Sequence, residues 1–182
     1  MLNLSFLFTN RRKSTLTTAN EYDIIIDTVG TVIILRIYMD LCCYNRPMDD
    51  QTQPRLYIES ETIQEILLKC SQGFWTLLSS EVLLLEASNN KNEENKQKTL
   101  ALINAYSSEM LVLTDETVLR AKDFQQHGIK NFDSLHLATA EHAGVDVLLS
   151  VDDRFIKGAK RSDAKVRVIN PTEWVREVYS YE

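Results

Sequence analysis

Two kinds of hydrophobic pattern alternate along this chain. Short, nearly continuous apolar runs rich in β-branched residues read as buried strands: "ILRIYMD" at residues 34 to 40, "FWTLLSS", Met110 to Leu113, "VDVLLSVD" and "VRVIN". Between them, apolar residues recur at helical spacing. Leu56, Ile63, Ile66 and Leu67 mark a helix from Gln53 to Cys70 with Gly73 as its stop, and "EVLLLEASN" opens another. The polar stretch "NNKNEENKQK", residues 89 to 98, reads as a loop or a solvated helix entrance. Thr114 caps a helix from Asp115 to Gln126, with Thr117 where a capping-box acid would sit, so the box is expected to be incomplete. Gly128 separates it from a helix opened by Asn131 or Asp133 and stopped at Gly144; "DRFIKGAKR" and "PTEWVREV" supply two more.

Strand and helix therefore alternate. That order predicts an α/β fold, a three-layer α/β/α sandwich around a central, mostly parallel sheet, with function gathered at the carboxyl ends of the strands. Residues 1 to 34 fit the scheme poorly, although "EYDIIIDTVGTVIIL" offers one extra strand. They are expected to be an N-terminal extension, disordered or non-native, leaving residues 35–182 as one domain.

Composition narrows the function classes. A chain of 182 residues, 44% hydrophobic and 25% charged, suffices for one core and is short for two. Asp23, Asp27, Arg36 and Asp40 interrupt the best early candidate for a membrane span. In "MLNLSFLFTNRRKSTLTT" the apolar run precedes the basic cluster, the wrong order for a secretory signal. Three cysteines without zinc spacing or a disulfide framework fit small buried thiols in a reducing cytoplasm. A net charge of −6 argues against coating nucleic acid by bulk electrostatics and leaves room for a local basic patch.

The acids carry the candidate chemistry. Asp40 ends the first strand, Glu86 lies in the helix after the second, Asp133 heads a later helix and Asp152 ends the fourth strand, so all four can meet at one edge of the sheet. Carboxylates that close repel unless cations neutralise them, and an all-oxygen donor set suits Mg2+ or Mn2+ rather than zinc. Such ions promote hydrolysis of phosphodiesters. Each acid also has a plain structural reading: Asp133 as a helix cap, Asp152 and Asp153 as turn residues, Glu86 as a solvated position. Only the combination points to a site.

That combination resembles a known family. "RIYMDLCCYNRP", "SSEVLLLEAS", "FDSLHLATAEHAG" and "LLSVDDRF", in this order over roughly residues 35 to 170, are similar to the PIN-domain family, whose VapC-like members are ribonuclease toxins of toxin–antitoxin pairs. The resemblance places the family's four acids on Asp40, Glu86, Asp133 and Asp152 as catalytic and metal-holding residues. Glu81 competes with Glu86, which is preferred because it stands six residues beyond Ser80. Asp153 competes with Asp152, which has Phe155 three residues on; Asp153 remains a possible assistant. One departure stands out. Leu41 occupies the position after the first acid where the family commonly has Thr or Ser, so a hydroxyl is lost there unless Cys42 substitutes.

What the resemblance implies is a Mg2+- or Mn2+-dependent endoribonuclease with an RNA substrate, an antitoxin partner and a homodimeric state, in the cytoplasm. Arg154, Lys157, Lys160 and Arg161, with Lys165 and Arg167, form a candidate RNA track, and Arg46 a second contact. A solvated basic surface explains the same residues. His127, His136 and His142 are assigned structural roles, as are Trp75 and Trp174. The rival class is a degenerate PIN-like interaction module whose acidic pocket holds a partner's arginine, kept open by Leu41. A phospho-acceptor receiver domain shares the architecture but expects its acidic pair after the first strand, and here the pair follows the fourth.

Overall fold

The computed structural model describes residues 17–19, 24–26 and 32–180. Three short strands, β1 (Thr17–Ala19), β2 (Ile24–Ile26) and β3 (Val32–Ile33), pair antiparallel in a sheet of their own. The expectation of a disordered or non-native extension falls mostly on residues outside the described ones.

The main sheet is built from β4 (Leu35–Met39), β5 (Trp75–Ser80), β6 (Glu109–Leu111), β7 (Val147–Leu149) and β8 (Val168–Ile169). Its order is β6-β5-β4-β7-β8, and every pairing is parallel. The helices are α1 (Leu41–Asn45), α2 (Pro54–Ser71), α3 (Glu81–Ser88), α4 (Glu93–Tyr106), α5 (Asp115–Gln126), α6 (Asn131–His142), α7 (Asp153–Arg161) and α8 (Pro171–Tyr179).

Side-chain alternation along each strand divides the core in two, because successive residues face opposite sides of a sheet. Ile37, Met39, Leu77, Val147, Leu149 and Ile169 join Ile63, Ile66, Leu83, Ile103 and Trp174 on one face, where α1, α2, α3, α4 and α8 pack. Tyr38, Leu78, Leu148 and Val168 join Phe124, Leu137 and Phe155 on the other, under α5, α6 and α7. This is the α/β/α sandwich expected from the alternation, with both faces covered as parallel sheets require. Trp75 and Trp174 meet edge to face with centroids 4.8 Å apart in the first core, a packing role.

Local differences have simple causes. The box at the start of α5 is complete: the Thr117 hydroxyl accepts the Thr114 amide and Thr114 accepts that of Thr117, so a hydroxyl does the acid's work. The polar stretch after α3 becomes the first turns of α4, capped by Asn92 and held by the Lys98–Glu94 pair one turn apart. The turn after β4 is a short helix, α1, followed by a 3-10 turn at Arg46–Met48. Gly144, at φ 60°, ends α6 as anticipated, since its left-handed backbone lets Val145 N–H reach the Ala140 carbonyl.

The strand order fixes where a site forms. β4 is central, with β5 on one side and β7 on the other, so the chain reverses its direction of sheet growth at the carboxyl end of β4. A crevice opens at such a switch point.

Candidate active site

Asp40 is the first residue after β4, and its amide extends the ladder by donating to the Leu149 carbonyl at 2.9 Å. The residue is only 5% exposed. Burying a charge demands partners. Ser150 Oγ donates to Asp40 Oδ2 at 2.8 Å and Cys42 Sγ donates to the same oxygen at 2.9 Å. Burial pushes the Cys42 thiol well above its ordinary value, with Cys43 and the Asp40 charge adding, so the sulfur keeps the proton it donates. Leu41 packs in the core. A hydroxyl beside the first acid comes instead from Ser150 at the end of β7, a residue the sequence reading did not single out.

Asp152 follows the same strand end. Its Oδ1 caps α7 by accepting the Arg154 and Phe155 amides at 2.7 and 3.2 Å, while its own amide donates to Ser150 Oγ at 3.1 Å. Cap and site acid are therefore compatible, because the second carboxylate oxygen is not engaged in the cap. Asp133 is not a cap: Lys130 holds that position and the acid sits in the first turn of α6. Its pKa is raised to about 6, first by burial and then by the charges of Asp40 and Asp152, with Glu86 adding.

Glu86 reaches the cluster from α3. Its Oε2 lies 2.8 Å from His136 Nε2, and that nitrogen lies 3.9 Å from Asp40 Oδ1. Asp40, Glu86 and His136 each offer a ligand atom, all within 4.8 Å of one another. Ser80, at the N-cap of α3, bonds Tyr38, which bonds His136 in turn. His136 is wholly buried, as a structural role requires, and yet lies against two of the acids, a contact to which its spacing of three after Asp133 was the only pointer.

The competing acids point elsewhere. Glu81 is exposed and accepts the Leu113 amide at 2.9 Å. Asp153 is exposed and takes both guanidinium nitrogens of Arg55 at 2.8 and 2.9 Å, which holds it below its ordinary value. Among the described residues, no lysine or arginine pairs with Asp40, Glu86, Asp133 or Asp152.

The basic candidates divide. Arg46 is engaged by Asp49 at 2.7 Å and by the buried Glu59 at 2.9 Å. Arg167 is engaged by Glu177. Arg154, Lys157, Lys160 and Arg161 are exposed on α7. Lys157 and Lys160 line a cavity of about 640 Å³ with Arg55, Glu59, Asp153 and Asn170, in which charges of both signs are balanced. His127 and His142 are exposed, away from the cluster. Cys43 is buried and Cys42 and Cys70 half-buried, all free thiols; Cys42 departs from the plain buried role by its bond to Asp40.

A buried and half-buried carboxylate cluster that pairs with no lysine or arginine among the described residues suits a hard divalent cation: the carboxylates offer oxygens, and Asp133 is raised first by burial and then by its neighbours' charges. No helix among the described residues is long and apolar enough to cross a membrane.

No curated protein matches the chain. Among solved structures, VapBC2 from Rickettsia felis, crystallised bound to a DNA fragment from their promoter, is similar at 20% identity over 74% of this chain and 98% of that one, with a TM-score of 0.48. The profile of the PIN domain matches residues 45–161, a span that contains Glu86, Asp133 and Asp152 and begins five residues after Asp40. With that match over more than half of its length, this chain belongs to the PIN domain family.

Proposed function

We propose that the protein is a Mg2+- or Mn2+-dependent endoribonuclease, with Asp40, Glu86, Asp133 and Asp152 as its metal-holding acids. PIN domains are generally nucleases. The observation that carries the reading is the nearness of these acids at the switch point of the sheet: Asp40 and Glu86 offer ligand atoms within 4.8 Å of each other, and Asp133, raised to about 6 first by burial, feels the charges of Asp40, Asp152 and Glu86, with no lysine or arginine paired to them among the described residues. Asp40, Glu86, Asp133 and Asp152 would hold such an ion, which would supply Lewis-acid charge for the hydrolysis of a phosphodiester.

The chain's own residues do the rest. Ser150 and Cys42 hold one oxygen of Asp40, and the α7 cap fixes Asp152 by its Oδ1, so each carboxylate has one oxygen restrained and one open to a ligand. Exposed Arg154, Lys157, Lys160 and Arg161 begin two residues after Asp152, where they can take phosphates flanking the one that reacts. The rival, an inert module, rested on the missing hydroxyl; the proton that Ser150 delivers to Asp40 weighs against it.

In this reading the protein is the toxin of a toxin–antitoxin pair, a cytoplasmic homodimer kept inactive by a protein antitoxin, with residues 35–182 as the nuclease domain. The test compares labelled single-stranded RNA with DNA of the same sequence in Mn2+. Internal cleavage of the RNA alone is expected, and cleavage confined to DNA would overturn the substrate class.

A further inference from the structure

Four polar groups stand in a row behind the carboxylate cluster. Ser80 Oγ lies 2.6 Å from Tyr38 Oη, Tyr38 Oη 2.7 Å from His136 Nδ1, and His136 Nε2 2.8 Å from Glu86 Oε2. Ser80, Tyr38 and His136 are each 0% exposed, so every proton in the row must find its acceptor within the protein.

That requirement fixes the direction of the bonds. Ser80 Oγ already accepts the Leu83 amide at 3.1 Å and has one proton to give. If Ser80 donates to Tyr38, the Tyr38 proton goes to His136 Nδ1, which is then bare, and the ring carries its proton on Nε2, aimed at Glu86. Every proton is used. In the reverse direction His136 Nδ1–H donates to Tyr38 and Tyr38 donates to Ser80, whose own proton is left buried without an acceptor. An unsatisfied buried hydroxyl loses its solvation without compensation. The reverse direction with a neutral ring also sets the Nε2 lone pair against a carboxylate oxygen at 2.8 Å. A ring protonated on both nitrogens orphans the Ser80 proton in the same way.

We infer that Ser80 and Tyr38 fix the tautomer of His136 so that Nε2 donates to Glu86, making His136 a positioning residue for that acid and not a metal ligand. Nε2 then has no lone pair to offer, although it lies among the ligand atoms of Asp40 and Glu86. The bond restrains one oxygen of Glu86 and leaves the other for a cation. The row also sets three elements in register, since β4 leads to Asp40, α3 carries Glu86 and α6 carries Asp133. This inference rests on the nuclease reading only in giving Glu86 a metal to hold.

The first test is the 15N spectrum of the histidine ring in the metal-free protein, with His136 assigned by the signals lost in His136→Gln. A proton on Nε2 and a bare Nδ1 are expected; a proton on Nδ1 would overturn the inference. The second is Mn2+ affinity by calorimetry. Glutamine can place an N–H near the position of Nε2–H, so His136→Gln should bind close to the parent, whereas His136→Leu should bind about 10–100-fold more weakly. Equal losses in the two variants would make His136 a ligand, and two unchanged affinities would make it purely structural; either overturns the inference. A parent that binds no Mn2+ would instead overturn the nuclease reading, with the ring spectrum still deciding the tautomer.

Discussion

Ser150 Oγ donates to Asp40 Oδ2 at 2.8 Å and accepts the Asp152 amide at 3.1 Å, so one hydroxyl ties the acid at the end of β4 to the acid at the end of β7. A hydrogen bond to a charged group contributes about 1.5–3 kcal/mol, and a group behind a metal ligand typically tunes metal affinity 10–100-fold. Ser150→Ala is therefore expected to lose stability in that range in thermal unfolding and to weaken Mn2+ binding by about that factor. The Cys42 thiol is a weaker donor to the same oxygen, so Cys42→Ala should lose less on both measures. The opposite ranking would place the important donor on the wrong element.

Asp133 gives the site a pH signature. Its pKa is raised to about 6, so between the ordinary carboxylate value and that point the folded state holds the proton more tightly than the unfolded chain does. The sign follows: this group makes metal-free stability fall as pH rises through the window, with the full penalty present above it. Asp133 is partly solvated, so screening reduces the effect to on the order of 1 kcal/mol. Asp133→Asn should raise the metal-free Tm at pH 7 by about 2–4 °C and leave it nearly unchanged at pH 4. Mn2+ affinity of the parent should weaken as pH drops through about 6. An equal gain in Tm at both values of pH would contradict the charge account.

The neighbouring acids provide matched controls. Glu86 faces His136 and Glu81 accepts a backbone amide at the surface; Asp152 caps α7 at the cluster and Asp153 pairs with Arg55 where both side chains are more than half exposed. Exposed pairs contribute at most about 1 kcal/mol. Glu81→Gln and Asp153→Asn should cut RNA at near the parent rate, and Glu86→Gln and Asp152→Asn at least about tenfold more slowly. Comparable losses within either pair, measured as initial rates, would misplace the site.

Much of this was legible in the residues because period and punctuation carry the fold. "ILRIYMD" and "VDVLLSVD" are apolar runs closed by acids, and a parallel sheet buried on both faces needs such runs; their closing acids sit at its carboxyl edge. The partners of those acids were not legible. Tyr38, Ser80, His136 and Ser150 lie inside strand ends or an apolar helix face, where a hydroxyl or imidazole reads as a satisfied core group, and only the crossing of β4, α3 and α6 shows what each satisfies. The basic helix was legible only as a charge run; that Lys157 and Lys160 also line a cavity with Arg55, Glu59 and Asp153 depends on α2 packing beside α7 and has no mark in the sequence.

The most direct test of the central claim is cleavage of labelled RNA by the full chain in Mn2+, in EDTA, and with Asp40→Asn in place of the parent. The exchange removes one charge from a buried side chain and keeps its shape, so the variant should fold as the parent does by circular dichroism. Internal cuts that require Mn2+ and vanish in Asp40→Asn are the expected result. Cleavage at the parent rate by a folded Asp40→Asn protein, or undiminished in EDTA, would contradict it.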